Sequence, residues 1–251
     1  MARWTACVFL VMVSVSYLFP QEAGYVTPLS AEPGDTIHFH LSTKVTPIYV
    51  VIYKEGLSRT FVMASGSIPA TFQPTPDSAF WYGCGWTSTY DLAIPPNWTS
   101  GVYTADFPTS TGNWTVLFIV KERRPGSHSK VLVSFSVNTW EAYNTFGGRS
   151  LYPIPVPNTN SAIAPSYKVS FNRPFNYRSG PQPFVSWDSK LISWLDKQGI
   201  AYEVATDIDL SKDSSALNPY DLLILVGHDE YWSRAQRNAI QKFVNEGKKL
   251  A

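Results

Sequence analysis

Residues 220–233 read YDLLILVGHDEYWS. Five apolar residues, 222–226, run into Gly227, and His228, Asp229 and Glu230 come immediately after. A short, nearly continuous apolar run predicts a strand buried on both faces, as in a parallel sheet covered by helices. The surrounding text completes the pattern. Upstream, KVLVSFSVN (130–138) is a second such run and IAYEVAT (200–206) a third strand. Between them WDSKLISWLDKQG (187–199) reads as an amphipathic helix, with Leu191, Ile192, Trp194 and Leu195 on its apolar side and Gly199 as its stop. Downstream, SRAQRNAIQKFVNEG (233–247) is a helix presenting Ile240, Phe243 and Val244, and KKLA (248–251) opens a fourth strand. Strand, helix, strand, strand, helix, strand is the rhythm of an open parallel α/β sheet. The last strand breaks off after a few residues, so this α/β domain, 131–251, is expected to be truncated and the chain a fragment of a longer protein.

The first half has a different grammar. DTIHFHLST (35–43), IYVVIYKEG (48–56), GVYTADF (101–107) and NWTVLFIVK (113–121) alternate or are β-branched, and clusters of Gly, Pro, Asn and Ser separate them. That spacing predicts a β-sandwich over 25–122. The charged, Pro- and Gly-bearing stretch KERRPGSHSK (121–130) predicts a linker, set at 123–130. His38 and His40 share one strand face. With no third ligand in view they read as ordinary strand residues.

With 251 residues, 44% of them hydrophobic, and a net charge of +1, the chain can build real cores and carries no basic excess for nucleic acid. Arg3 precedes about 17 uncharged residues (4–20), the pattern of a secretory signal peptide over 1–24. The stretch is short for a span of about 20 residues, although a signal anchor stays open. The expected location is therefore secreted or cell-surface, with no other membrane contact; a homo-oligomer is allowed. Cys7 falls in the leader, leaving Cys84 alone, so neither a disulfide nor a cysteine metal site is expected. Asn97 and Asn113 begin glycosylation triplets.

In open α/β sheets ligands bind beyond the carboxyl ends of the strands. Those ends here deliver Asn138 with TWEAYNTFGG, then Asp207 and Asp209, then His228, Asp229, Glu230 and Tyr231. His228 suits acid–base work near neutral pH, and a carboxylate such as Glu230 can ligate a hard metal. Tyr143 adds a phenol. The chain contains no G-x-S-x-G elbow, P-loop, dinucleotide fingerprint or H-E-x-x-H. The competing reading is structural, with His228 capping the next helix and Asp229 and Glu230 favoured by its dipole.

Together, NTWEAYNTFGGRSLY (138–152), FNRPF (171–175), WLDKQGIAYEVATDIDL (194–210) and YDLLILVGHDEYWS resemble the large subunit of N,N-dimethylformamidase, closely over 131–251 and more loosely through the β half. The resemblance implies a sandwich-like domain followed by a glutaminase-amidotransferase-like, flavodoxin-like α/β domain. It also implies a mononuclear iron (Fe3+) held by two tyrosines and a glutamate, cleaving a small amide. Glu230 matches the glutamate, with His228 beside it as proton shuttle. Tyr143 matches one tyrosine and Tyr103 is placed as the other, with Tyr152 as the substitute for either. Asn138, Asn144, Tyr152 and Asp207 complete the expected pocket. The alternative is a secreted carbohydrate- or ligand-binding β-sandwich protein with a non-catalytic amidotransferase-like scaffold, motivated by the abundant Trp and Tyr.

Overall fold

The computed structural model describes residues 22–251. The expected leader therefore lies almost wholly outside the described residues. Its expected end at residue 24 is corrected, because Glu22, Ala23 and Gly24 belong to the fold. The buried Glu22 carboxylate accepts hydrogen bonds from the Lys44 N–H (2.6 Å), the Thr43 hydroxyl (3.2 Å) and the Ser110 N–H. An ionised group inside a protein needs such donors. Among the described residues no helix is long and apolar enough to cross a membrane.

The first half comprises β1 (Ala23–Thr27), β2 (Ser30–Ala31), β3 (Thr36–Ser42), β4 (Val51–Lys54), β5 (Thr60–Ala64), the short α1 (Ala79–Tyr82), β6 (Tyr90–Ala93), β7 (Gly101–Thr109) and β8 (Gly112–Val120). They form a three-stranded sheet, β1-β3-β6, and a five-stranded sheet, β2-β8-β7-β4-β5. All neighbours are antiparallel except β2 and β8. Alternation sends Ile37, Phe39 and Leu41 of one sheet and Tyr103, Ala105, Phe107, Val116 and Phe118 of the other into one core. Phe39 meets Phe118 edge-on at 5.7 Å between centroids.

The second half continues as β9 (Val131–Phe135), α2 (Val137–Tyr143), the paired β10 (Ile154–Pro155) and β11 (Ala162–Ile163), and a π-helical turn (Phe184–Asp188) running into α3 (Ser189–Lys197). Then come β12 (Glu203–Thr206), α4 (Asp207–Lys212), a 3-10 turn (Ser214–Leu217), β13 (Leu222–Leu225), α5 (Arg234–Asn245) and β14 (Lys249–Leu250). The sheet is wholly parallel in the order β12-β9-β13-β14. That is the flavodoxin-like doubly wound order, with its topological switch between β9 and β13. Both faces are buried. Val133, Phe135 and Val204 pack with Ile192 and Leu195 of α3, while Leu132, Ala205 and Leu223 pack with Leu210 of α4 and Ile240 and Phe243 of α5.

Two helices go beyond the sequence expectation. α2 occupies a stretch where no helix is expected, taking in the last two residues of the run read as a strand, and α4 lies between strands read as successive. Thr206 caps α4 in a reciprocal capping box with Asp209. Ser233 caps α5 by accepting from the Gln236 N–H at 3.0 Å, so Asp229 and Glu230 are not its caps.

The segment joining the halves is anchored. The buried Glu203 carboxylate accepts the N–H groups of Gly126 (2.8 Å), His128 (2.8 Å) and Ser129 (3.1 Å) and the Tyr220 hydroxyl (2.5 Å). The outward residues of β7 and β8 (Val102, Leu117 and Ile119) belong to the core that also holds Val133, Ile192 and Leu195.

Candidate metal centre and its pocket

β9 and β13 flank the switch point, and their carboxyl ends build the site. β9 passes through Ser136 into α2, whose last residue is Tyr143. β13 passes through Val226 and Gly227 into His228, Asp229 and Glu230. Gly227 has φ +65°, and a Cβ there would stand 2.5 Å from Asp188 Oδ1. Only glycine serves a left-handed turn so close to a neighbour. α2 then pins the loop. The Ser136 hydroxyl donates to the His228 carbonyl (2.9 Å), and Thr139 Oγ1 accepts the Glu230 and Tyr231 N–H groups (2.9 and 3.1 Å).

Held in this way, the Glu230 carboxylate collects two phenols. The Tyr143 hydroxyl donates to Oε2 at 2.8 Å and the Tyr152 hydroxyl to Oε1 at 2.6 Å. The tyrosine rings stack at 4.2 Å between centroids. His228 Nε2 lies 3.3 Å from Glu230 Oε2, and Tyr231 donates to the Tyr152 hydroxyl at 2.9 Å. The bonds from Tyr152 and Tyr143 hold Glu230 below the usual carboxylate range, and the bond to Glu230 holds the Tyr152 phenol above its ordinary value.

The structure thus brings together Tyr143, Tyr152, His228 and Glu230. Tyr103 lies elsewhere and is corrected as a site residue. It is buried in the sandwich core on β7, stacked on Trp98 at 4.7 Å, with its hydroxyl donating to the Thr99 carbonyl. Asn138 and Asp207 are likewise not pocket groups. The Asn138 N–H donates to Asp207 Oδ2 at 2.9 Å, joining α2 to the end of β12, and burial pushes the Asp207 carboxyl up to about 7. Asn144 lines the pocket, but its amide is committed to Glu141, the Pro174 carbonyl and the Phe146 N–H.

Arg173, in the FNRPF stretch, braces the cluster. Its buried guanidinium meets Glu141 Oε1 at 2.5 Å and donates to the carbonyls of Asn144, Phe146 and Arg149. Those carbonyls lie on the chain between Tyr143 and Tyr152. Beside the cluster opens a cavity of about 390 Å³, bounded by Tyr143, His228, Trp140, Phe175, Tyr177 and Trp187. Sequence reasoning missed Arg173 and Trp187 as contributors to the site, and it delivered Tyr231 and the stretch holding Thr139 to the crevice without giving either a role. The FNRPF stretch contains Arg173 without a spacing that assigns it a role.

Other polar constellations read differently. His38 pairs with Asp91 (2.8 Å), and both nitrogens of His40 are bonded, to Thr27 Oγ1 and the Trp86 carbonyl. Cys84 is buried and its thiol is pushed up to about 12 by burial, which withholds the thiolate a nucleophile needs. Glu122, His128 and Glu203 bring ligand atoms within 4.8 Å of one another, a spacing compatible with a metal. They stand at the amino end of the parallel strands, however, and the Glu203 oxygens already accept four hydrogen bonds.

A β-rich half, a doubly wound parallel sheet, and a phenol–phenol–carboxylate cluster at the sheet's switch point define an α/β protein with a hard-oxygen donor site in its crevice. That donor set suits a hard, highly charged cation. The family model described as "N,N-dimethylformamidase beta subunit-like, C-terminal" matches residues 47–251, and the chain belongs to that family. The match includes most of the β half. No curated protein gives a significant match.

Proposed function

We propose that the chain is a hydrolase that cleaves the C–N bond of an amide at the Tyr143–Tyr152–Glu230 cluster. The carrying observation is the convergence of two phenol hydroxyls on the two oxygens of one carboxylate at the switch point. A metal bound there would be held by Tyr143, Tyr152 and Glu230, with iron as the family's expected ion. Such an ion supplies Lewis acidity towards an amide carbonyl. The chain's own residues supply the rest. Glu230 orients both phenols, Thr139 fixes the Glu230 backbone, and His228, at 3.3 Å from that carboxylate, is placed to take a proton from water and return one to the leaving nitrogen. The products are a carboxylic acid and an amine. Strand order supports the finer reading of the α/β half as glutaminase-amidotransferase-like, and the leader motivates an exported protein. A scaffold without a site would not need Tyr143, His228 and Glu230 to meet.

The test is metal analysis of purified protein together with amine release from small amides. Iron near one per chain is expected, falling sharply in Tyr143→Phe, Tyr152→Phe and Glu230→Ala. Absence of iron, with amine release unchanged in Glu230→Ala, would refute the proposal. Because ligation displaces phenol protons, iron affinity is expected to rise with pH between about 5 and 8 in a competition titration. A pH-independent affinity would count against phenolate ligation.

A further inference from the structure

Resting on the reading of Glu230 as the centre of amide hydrolysis, we infer that the adjoining cavity selects neutral amides bearing a flat aromatic group. The cavity is continuous with the cluster, since Tyr143 and His228 form part of its wall. At about 390 Å³ it falls in the range that encloses ring-bearing ligands and far exceeds the needs of an amide carrying only methyl groups. Four more aromatics, Trp140, Phe175, Tyr177 and Trp187, share its remaining wall with uncharged threonine, asparagine, glutamine, proline and serine residues.

Two features define the chemical class. First, three of these aromatics remain open to water. Trp187 is 65% exposed, Tyr177 46% and Tyr143 41%. Aromatic faces left uncovered beside a reacting centre are stacking surfaces for a planar group. Second, apart from His228, no histidine, lysine, arginine, aspartate or glutamate among the described residues lines the cavity. Nothing there would repay the desolvation of a charged substituent. The exposed Gln182 side-chain amide lines the cavity with no side-chain hydrogen bond among the described residues and can take the amide N–H or carbonyl; the Asn144 and Asn176 amides are already engaged. The reaction is hydrolysis. Water adds to the carbonyl carbon, the C–N bond breaks, the nitrogen leaves with a proton, and a carboxylic acid and an arylamine result.

The test compares formanilide, N,N-dimethylformamide and the anionic 4-formamidobenzoate as substrates of the full chain. Formanilide is expected to have a kcat/KM about tenfold or more above the other two, the scale of discrimination that apolar pockets reach. Trp187→Ala, which removes an exposed side chain and no core contact, is expected to lower that value about tenfold through KM and to lower the value for N,N-dimethylformamide several-fold less. Preference for N,N-dimethylformamide or the anion, or an equal loss on both neutral substrates, would overturn the inference. Calorimetric titration of formanilide into Glu230→Ala separates the two readings. Saturable binding that Trp187→Ala removes sustains the aromatic pocket even if no amide is cleaved, in which case only the hydrolytic reading falls. No binding overturns the pocket.

Discussion

Gly227 and Asp188 show how one residue pair fixes the approach to the site. The glycine takes a left-handed turn against the Asp188 carboxyl, and the next three residues carry the chemistry. Gly227→Ala is expected to cost about 1–2 kcal/mol from backbone conformation alone, plus the clash, and to lower iron content because His228 and Glu230 are displaced. A thermal melt and metal analysis measure both. Asp188 is buried with neither oxygen in a well-formed hydrogen bond among the described residues, and burial pushes it up to about 7 despite the neighbouring Trp140 indole. A carboxyl raised in the folded state binds more protons there than in the unfolded chain between about pH 4 and 7, so stability falls as pH rises through that window. Asp188→Asn is expected to remove this slope and to raise stability at pH 8 by on the order of 2 kcal/mol. An unchanged slope in urea titrations at pH 5 and 8 would contradict this. At this scale the sequence disclosed residue types well. Tyr143, His228 and Glu230 stood out because the chain emerges from the sheet at a strand end, and polar residues placed there reach the crevice. Tyr103 misled because its SGVY context, within an alternating strand, does not state which face its phenol takes.

Among the elements, α2 is the one whose identity was hidden. Five of its seven residues, Val137, Thr139, Trp140, Glu141 and Ala142, are buried, so no polar stripe of helical period marks it. A buried Glu141 makes sense only with Arg173, which lies 32 positions away. Removing one partner of a buried pair leaves the other charged and uncompensated. Arg173→Met is therefore expected to destabilise the fold by about 3–5 kcal/mol, read by chemical denaturation. It should also loosen the 144–150 segment, read by faster hydrogen exchange there. α4 was more accessible, since Thr206 and Asp209 form a local capping box that the sequence displays. The amphipathic face of α5, by contrast, came from spacing alone, because Ile240 and Phe243 repeat at helical intervals.

The two halves share a core. β8 buries Val116 and Phe118 in the sandwich and Leu117 and Ile119 against the parallel sheet and its helix α3. Separate domains on a flexible linker would melt separately. Here one cooperative transition is expected, with near-ultraviolet circular dichroism and intrinsic fluorescence coinciding. Ile119→Asp is expected to lower its midpoint strongly, since it places a charge in the shared core. Two resolved transitions in the unaltered chain would show that the interface contributes little. The composition change near residues 121–130 was visible in the sequence as a boundary. That Glu203 ties this segment down through three N–H groups was not, because those contacts join residues more than seventy positions apart.

By itself the sequence determined the longer strands of the β half and the four strands of the second, that the second half is a parallel sheet, and that His228 and Glu230 stand at a strand end; it did not disclose β1, β2, β5, β6, β10 or β11. Periodicity and turn residues are local, and local forces suffice to write them. Tertiary structure alone decided that β9 and β13 are neighbours, that Tyr152 rather than Tyr103 joins Tyr143 on Glu230, and that Trp187 and Tyr177 wall the cavity beside them. Those outcomes depend on strand order and on the path of a long loop braced by Arg173, and such long-range packing leaves no period in the chain.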